Sequence, residues 1–208
     1  QEIFTYINEH LNDDISKLAL QKNPFPDYDW KWILNQIASK KKAKDKLPTW
    51  FASQNIIYPS LVSVEQTSSE ELAQFKANIV SGTSFIDLTG GFGIDSFYFA
   101  KQFENGVHCE WNKDLSQIVA HNFKELNVKN IQHIAGNSLE YLEKTDVIFD
   151  FIYVDPARRD ATKKKVFLFE DCEPNIVEHT DFLFSKAPII MVKSSPLVDI
   201  HQGIQQLK

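Results

Sequence analysis

From residue 84 onward, short apolar runs alternate with longer stretches in which apolar residues recur at helical spacing. Residues 84–88, 107–111, 131–135, 149–154 and 189–192 are brief and mostly apolar, as strands covered on both faces of a sheet must be. Between them, 94–101, 115–126 and the stretch near 175–186 read as helices. This β-α-β alternation predicts an open, doubly wound parallel sheet with right-handed crossovers.

The chain before this sheet has a different rhythm. Ile3, Phe4, Ile7, Leu11, Ile15, Leu18 and Leu20 roughly keep helical spacing. Pro24 and Pro26 then break the pattern. Trp30, Ile33, Leu34 and Ile37 predict a second amphipathic helix, running into the basic stretch 40–46. Cations there suit a helix C-terminus; contact with nucleic-acid phosphate is the other reading. Ser68, Ser69, Glu70 and Glu71 mark a helix start, with Leu72, Phe75 and Ile79 on one face. The expected division is a helical N-terminal region, 1–60, and a core, 61–208. Residues 201–208 read as the next helix.

Composition narrows the class. Two hundred and eight residues, 43% of them apolar and sixteen of them Phe, suffice for one sizeable core. A net charge of −6 argues against a uniformly basic nucleic-acid binder. Cys109 and Cys172 lack metal-ligand spacing, and no His/Cys cluster suggests a metal. With neither a signal segment nor a long apolar run, the expectation is a reducing, cytoplasmic setting without membrane attachment. The chain begins at Gln1 and its only methionine is Met191, so a processed chain or a fragment is expected.

Candidate chemistry centres on the stretch 85–95, FIDLTGGFGID. It reads as a buried strand, a glycine turn and a helix N-terminus, a site for a nucleotide-type cofactor. A dinucleotide fingerprint needs a third glycine where Ser96 stands, which argues against an oxidoreductase. Asp87 before the turn, followed by Thr89, Gly90, Gly91, Phe92 and Gly93, resembles motif I of the class I S-adenosylmethionine (SAM)-dependent methyltransferases. Thr89 replaces that motif's first glycine. SAM carries a cationic amino group, which favours a carboxylate near the turn.

Three further features fall at the C-terminal ends of strands, where open α/β sheets bind ligands. Glu110 can accept hydrogen bonds from ribose hydroxyls, and Trp111 can pack on adenine. Asn137 and Ser138 follow the third strand, where an Asn amide can read the adenine edge. Asp155-Pro156-Ala157-Arg158-Arg159 follows the fourth, beside the methyl acceptor. Asp155-Pro156 resembles the start of the motif of amino-group methyltransferases acting on nucleic-acid bases, although Ala157 and Arg158 replace its second proline and stacking aromatic.

With residues 64–70, Phe75-Lys76-Ala77 and Lys193-Ser194-Ser195-Pro196, the whole, from about residue 61 to the end, resembles a group of bacterial methyltransferases that carry a THUMP-like RNA-binding region and are related to trimethylguanosine synthases. The resemblance implies a Rossmann-like class I methyltransferase sheet, truncated before its last strands. It implies SAM as cofactor and an RNA substrate, rRNA or tRNA, methylated at nitrogen. Asp155 and Pro156 would act at the acceptor, with Arg158, Arg159 and Lys193 on substrate. A DNA or protein methyltransferase, or a SAM-binding module without catalysis, are the rival expectations.

Overall fold

The computed structural model describes residues 1–158, 169–194 and 200–206. Five strands, β1 (Gly82–Asp87), β2 (Phe103–Glu110), β3 (Ile131–Ala135), β4 (Phe151–Val154) and β7 (Ile189–Val192), pair in the order β3-β2-β1-β4-β7. Every pairing is parallel. The order reverses between β1 and β4, so a crevice opens at their C-terminal ends. Helices α7 (Ile94–Phe99), α8 (Lys113–Glu125), α9 (Ser138–Lys144) and α10 (Ile176–Lys186) connect the strands, and α11 (Ile200–Gln206) follows β7. A two-stranded antiparallel ribbon, β5 (Ala157–Arg158) with β6 (Cys172–Glu173), lies between β4 and α10.

The period of two in β1 and β4 sorts their side chains between two cores. Phe85, Phe151 and Tyr153 face one core with Phe97, Phe99 and Phe103. There the Phe99 ring meets Tyr153, Phe151 and Phe85 tilted or edge-on, at centroid distances of 5.0–5.7 Å, while Phe103 stacks on Phe151 at 5.6 Å. Ile86, Leu88, Ile152 and Val154 face the other core, with Leu142, Ile176 and Leu183. Seven of the sixteen phenylalanines belong to the Phe85 core, beneath α7 and α8.

The N-terminal region comprises α1 (Glu2–Glu9), α2 (Ile15–Ala19), α3 (Trp30–Lys46) and α4 (Pro48–Ala52). Ile7, Leu18, Ile33 and Ile37 make a small separate core there. Asp14 and Asp29 cap α2 and α3 through their carboxylates. The irregular segment after α4 is held by amide side chains from both sides. Gln36 clasps Tyr58, accepting from its N–H at 2.8 Å and donating to its carbonyl at 2.7 Å. Asn122 of α8 does the same to Ile57, at 2.9 and 2.8 Å. Helices α5 (Leu61–Gln66) and α6 (Glu70–Asn78) then lead into β1.

Three elements depart from the sequence pattern. β2 starts at Phe103 rather than 107, because β1 pairs along its full length and carries polar Glu104 and Asn105 into the ladder. Trp111 falls just beyond that strand. α9, which no apolar run announced, is started by its Asn137 cap. On α6, Leu72, Phe75 and Ile79 do share a face, but it is the outer one. The buried face is Glu70, Ala73, Lys76 and Ala77, and its two small alanines let α6 come close to α7.

Candidate functional site

The chain leaves β1 at Asp87 and turns through residues 88–93 into α7, whose N-cap, Gly93, is left-handed at φ 83°. Backbone hydrogen bonds tie this turn to both neighbouring strands. The Leu88 N–H donates to the Tyr153 carbonyl at 3.0 Å and the Gly90 N–H to the Cys109 carbonyl at 2.8 Å. Thr89, which stands in place of a glycine, accepts the Asp155 N–H on Oγ1 at 2.6 Å. Its hydroxyl staples the turn to the end of β4, across the crevice where the strand order reverses.

Two cavities open on this edge of the sheet. The first, about 320 Å³, is lined by Leu88, Cys109, Glu110, Trp111, Gly136 and Asn137, among others. The second, about 260 Å³, lies over Gly90 and Gly91 and is walled by Ser63, Gln66, Thr67 and Ser68. Both are bordered by Thr89, Asp155 and Ala157, so they adjoin at Asp155. Together they make a bent trough of the size of small-molecule sites (~300–1,000 Å³). Gly136, at φ 147°, has open space where a Cβ would stand, so a side chain there would project toward the first cavity.

The expected site residues divide by what the structure gives them to do. Glu110 borders the first cavity while accepting the Gly91 N–H at 2.9 Å on one oxygen and the Asn112 N–H at 2.7 Å on the other. Trp111 is 73% exposed beside it. Asn137 and Ser138 line the same cavity, but Asn137 Oδ1 caps α9, accepting from Leu139 and Glu140. Phe92 borders the second cavity, while its ring packs between Trp50 and Tyr58. Pro156 is buried and is absent from both linings. Lys193 pairs with Asp155, Nζ to Oδ2 at 2.5 Å. Arg158 has its backbone in β5; Arg159, Ser195 and Pro196 lie outside the described residues.

Asp87 has a different place from the one expected. It lines neither cavity and sits fully buried beneath the turn, accepting the Ser96 hydroxyl at 2.6 Å and the Thr89 N–H at 3.0 Å. Two carboxylates border the second cavity, Asp155 and Asp95, the latter in the first turn of α7. Asp95 faces Lys76 Nζ at 2.6 Å and accepts from the Ser68 and Tyr153 hydroxyls at 2.9 and 3.0 Å. Lys76 in turn donates to the Ser68 and Tyr153 oxygens at 3.0 and 2.8 Å. The sequence signal for this cluster was a lysine between alanines on the inner side of α6.

Burial raises the Asp87 carboxyl to about 7, although its two donors pull the other way. Burial, with His133 beside it, lowers His108 to about 4. The two act oppositely on stability. Between about pH 4 and 7 the folded chain keeps a proton on Asp87 that the unfolded chain has lost, so stability falls as pH rises. Between about pH 4 and 6.5 the unfolded chain holds a proton on the histidine that the folded chain lacks, so stability rises with pH. Asp87→Asn removes only the first effect. Its unfolding free energy relative to the parent, from urea titrations, should improve by roughly 2–4 kcal/mol from pH 4 to pH 7; a pH-independent difference would refute the assignment.

No family model matches the chain. A crystal structure of a "putative methyltransferase" from Porphyromonas gingivalis W83 superposes with a TM-score of 0.83 at 29% identity, covering 98% of this chain and 51% of that one. An uncharacterized RNA methyltransferase of Mycoplasma mobile is 26% identical over 187 residues, 81% of this chain and 50% of that protein. The chain thus spans about half the length of these relatives. Among the described residues no helix is long and apolar enough to cross a membrane, and no three His, Cys, Asp or Glu side chains stand together to hold a metal. With its parallel five-stranded sheet, its flanking helices and this superposition, the chain has the Rossmann-like α/β fold of the class I methyltransferases.

Proposed function

We propose that the chain binds SAM along the two adjoining cavities and transfers its methyl group to a nitrogen of an RNA nucleotide. The observation that carries this reading is that both cavities border Asp155. The first suits an adenosine: Glu110 offers carboxylate oxygens to ribose hydroxyls, Trp111 a flat face to the base, and Leu88 and Cys109 an apolar floor. Burial keeps the Cys109 thiol protonated and so unreactive. The second suits a charged amino-acid group, with Gln66, Thr67 and Ser68 as polar walls and Asp95 at its edge. The space over Gly136 leaves room for a ligand where a side chain would stand.

When bound, SAM supplies an electrophilic methyl carried on a sulfonium. The chain's part is to place an acceptor in line with it, where positioning contributes most of the rate. Asp155 orients the acceptor amine and takes up its proton, and Lys193 holds one Asp155 oxygen in place meanwhile. Thr89 fixes the Asp155 backbone against the turn. RNA as the polymer is supported by the name of the Mycoplasma mobile relative and by Lys193 beside Asp155 at the mouth.

Calorimetric titration with SAM and with S-adenosylhomocysteine tests the cofactor part. Binding should be saturable, and Glu110→Ala should weaken it at least about tenfold, equivalent to ~1.4 kcal/mol. Asp155→Asn should bind within about twofold of the parent, on the scale of a lost exposed contact. With methyl-labelled SAM and separated pools of RNA, DNA and protein, the parent should label RNA and Asp155→Asn nothing. Label in DNA or protein would replace the substrate reading. Binding without transfer to any pool would make the chain a SAM-binding module.

A further inference from the structure

The lysine run at the end of α3 has a destination. Residues 40–46 hold five lysines and one aspartate in a chain whose net charge is −6. Only part of that run is spoken for by packing. Lys40 lies over the Phe51 ring at 5.6 Å, and burial lowers its affinity for its proton. Lys42 and Lys46 are one helical turn apart, on the side of α3 that meets α5. Lys42 pairs with Glu65 at 3.1 Å, both side chains about half exposed. Lys46 Nζ reaches the Val64 and Glu65 carbonyls at 3.1 and 2.5 Å, at the C-terminal end of α5.

Helix α5 and the residues after it wall the second cavity, through Ser63, Gln66, Thr67 and Ser68. Lys193 reaches the same mouth from the end of β7, on Asp155. The lysines are close enough to feel one another. Burial lowers the proton affinity of Lys46 most, and repulsion from Lys193 and then Lys42 lowers it further. Like charges gathered at a cavity mouth oppose folding and favour a polyanion. The sole carboxylate bonded to the α3 pair, among the described residues, is Glu65.

We propose that Lys42 and Lys46 of α3, together with Lys193, hold the phosphate backbone of a single-stranded RNA as it enters the cavity at Asp155. The helical N-terminal region is then part of the substrate site. This proposal rests on the RNA reading above for the identity of the polymer and is independent of SAM binding. A merely structural Lys46, capping α5, would leave RNA affinity unmoved.

The test uses the whole chain, a fluorescently labelled single-stranded RNA of mixed sequence, and anisotropy titrations at several salt concentrations without SAM. Lys42→Gln/Lys46→Gln should bind at least about tenfold more weakly, and its log–log salt slope should be shallower by up to ~1.4, about 0.7 per lost phosphate contact. Lys129→Gln/Lys144→Gln changes net charge equally at the opposite end of the sheet and should bind like the parent. Glu65→Gln should act in the other direction, tightening binding about two- to fivefold by freeing Lys42. Lys42 and Glu65 are both about half exposed, so Lys42→Gln alone and Glu65→Gln do not threaten the fold, and Lys42→Gln alone should already weaken binding and flatten the slope by about 0.7. Equal losses in the two double variants, no gain for Glu65→Gln, or a parent that binds SAM but no RNA would each overturn the proposal. The last result would leave the cofactor reading standing.

Discussion

Gly90→Ala should destabilise the chain by about 3 kcal/mol or more, and the loss should be largely reversed by a second change, His108→Ala. The reason is steric. A Cβ built on Gly90 would stand 2.2 Å from His108 Nε2 and 2.5 Å from two ring carbons. His108 cannot retreat: it is fully buried on β2, with the His133 ring 5.4 Å away and Phe123 at 6.1 Å. Gly90 is not among the glycines of positive φ, so alanine suits its backbone and the clash alone is tested. Urea titration gives the stability, and SAM calorimetry gives the site. The single variant should lose cofactor affinity as well, because the turn must move away from β2 and carry Gly91 off Glu110. If the single variant is as stable as the parent, the imidazole does not support the turn. If the double variant fares no better than the single, another contact is responsible.

That contact shows why one part of the site was legible in sequence and another was not. A strand, a turn with three glycines and a helix are all local, so residues 84–99 could be read from order alone. Gly91 serves a local need, a positive φ of 54°, but what the other two glycines are for depends on partners far along the chain. Gly90 answers to His108, whereas Gly93 answers to Val119 and Phe123 of α8. His108 and His133 stand far apart in sequence, yet they are register partners on neighbouring strands. Thr89 departs from the motif because its hydroxyl, which a glycine lacks, is bonded to the Asp155 backbone.

Strand β4 was legible for the same local reason, a short apolar run buried throughout; β3 and β7, at the two edges of the sheet, are only partly buried and were read from their isoleucines and valine alone. The outer face of α6 was not legible. Leu72, Phe75 and Ile79 obey the helical period, but period alone cannot say which face is inside. Here close approach to α7 selects the alanines, and the large side chains remain 43–62% exposed. The same packing hides a lysine. Lys76 would ordinarily mark a solvated side, yet it is 7% exposed because Asp95, Ser68 and Tyr153 receive its three donors.

Lys76→Met should therefore be the most damaging change outside the turn, destabilising the chain by roughly 3–5 kcal/mol. Methionine fills much of the lysine's volume and keeps the helix, so packing and propensity change little. What remains is the Asp95 carboxylate, buried beside Tyr153 with two hydroxyl donors and no cation. Burial already lowers the proton affinity of Lys76, with Asp95 acting against it. The pair is thus a compromise between desolvation and attraction, and removing one partner leaves the desolvation of the other. Adding Asp95→Asn should recover at least half of the loss, since a neutral amide can keep bonds to both hydroxyls. Urea unfolding of the parent, both single variants and the double variant gives the coupling energy directly. A coupling below about 0.5 kcal/mol would mean that the two charges do not depend on each other. A large one would tie the position of Asp95, at the edge of the second cavity, to a lysine of α6. Cofactor affinity in the double variant then separates the two roles of the cluster. If stability returns but SAM binding does not, the charge on Asp95 acts on the ligand; if both return, the cluster only holds α6, α7 and β4 together.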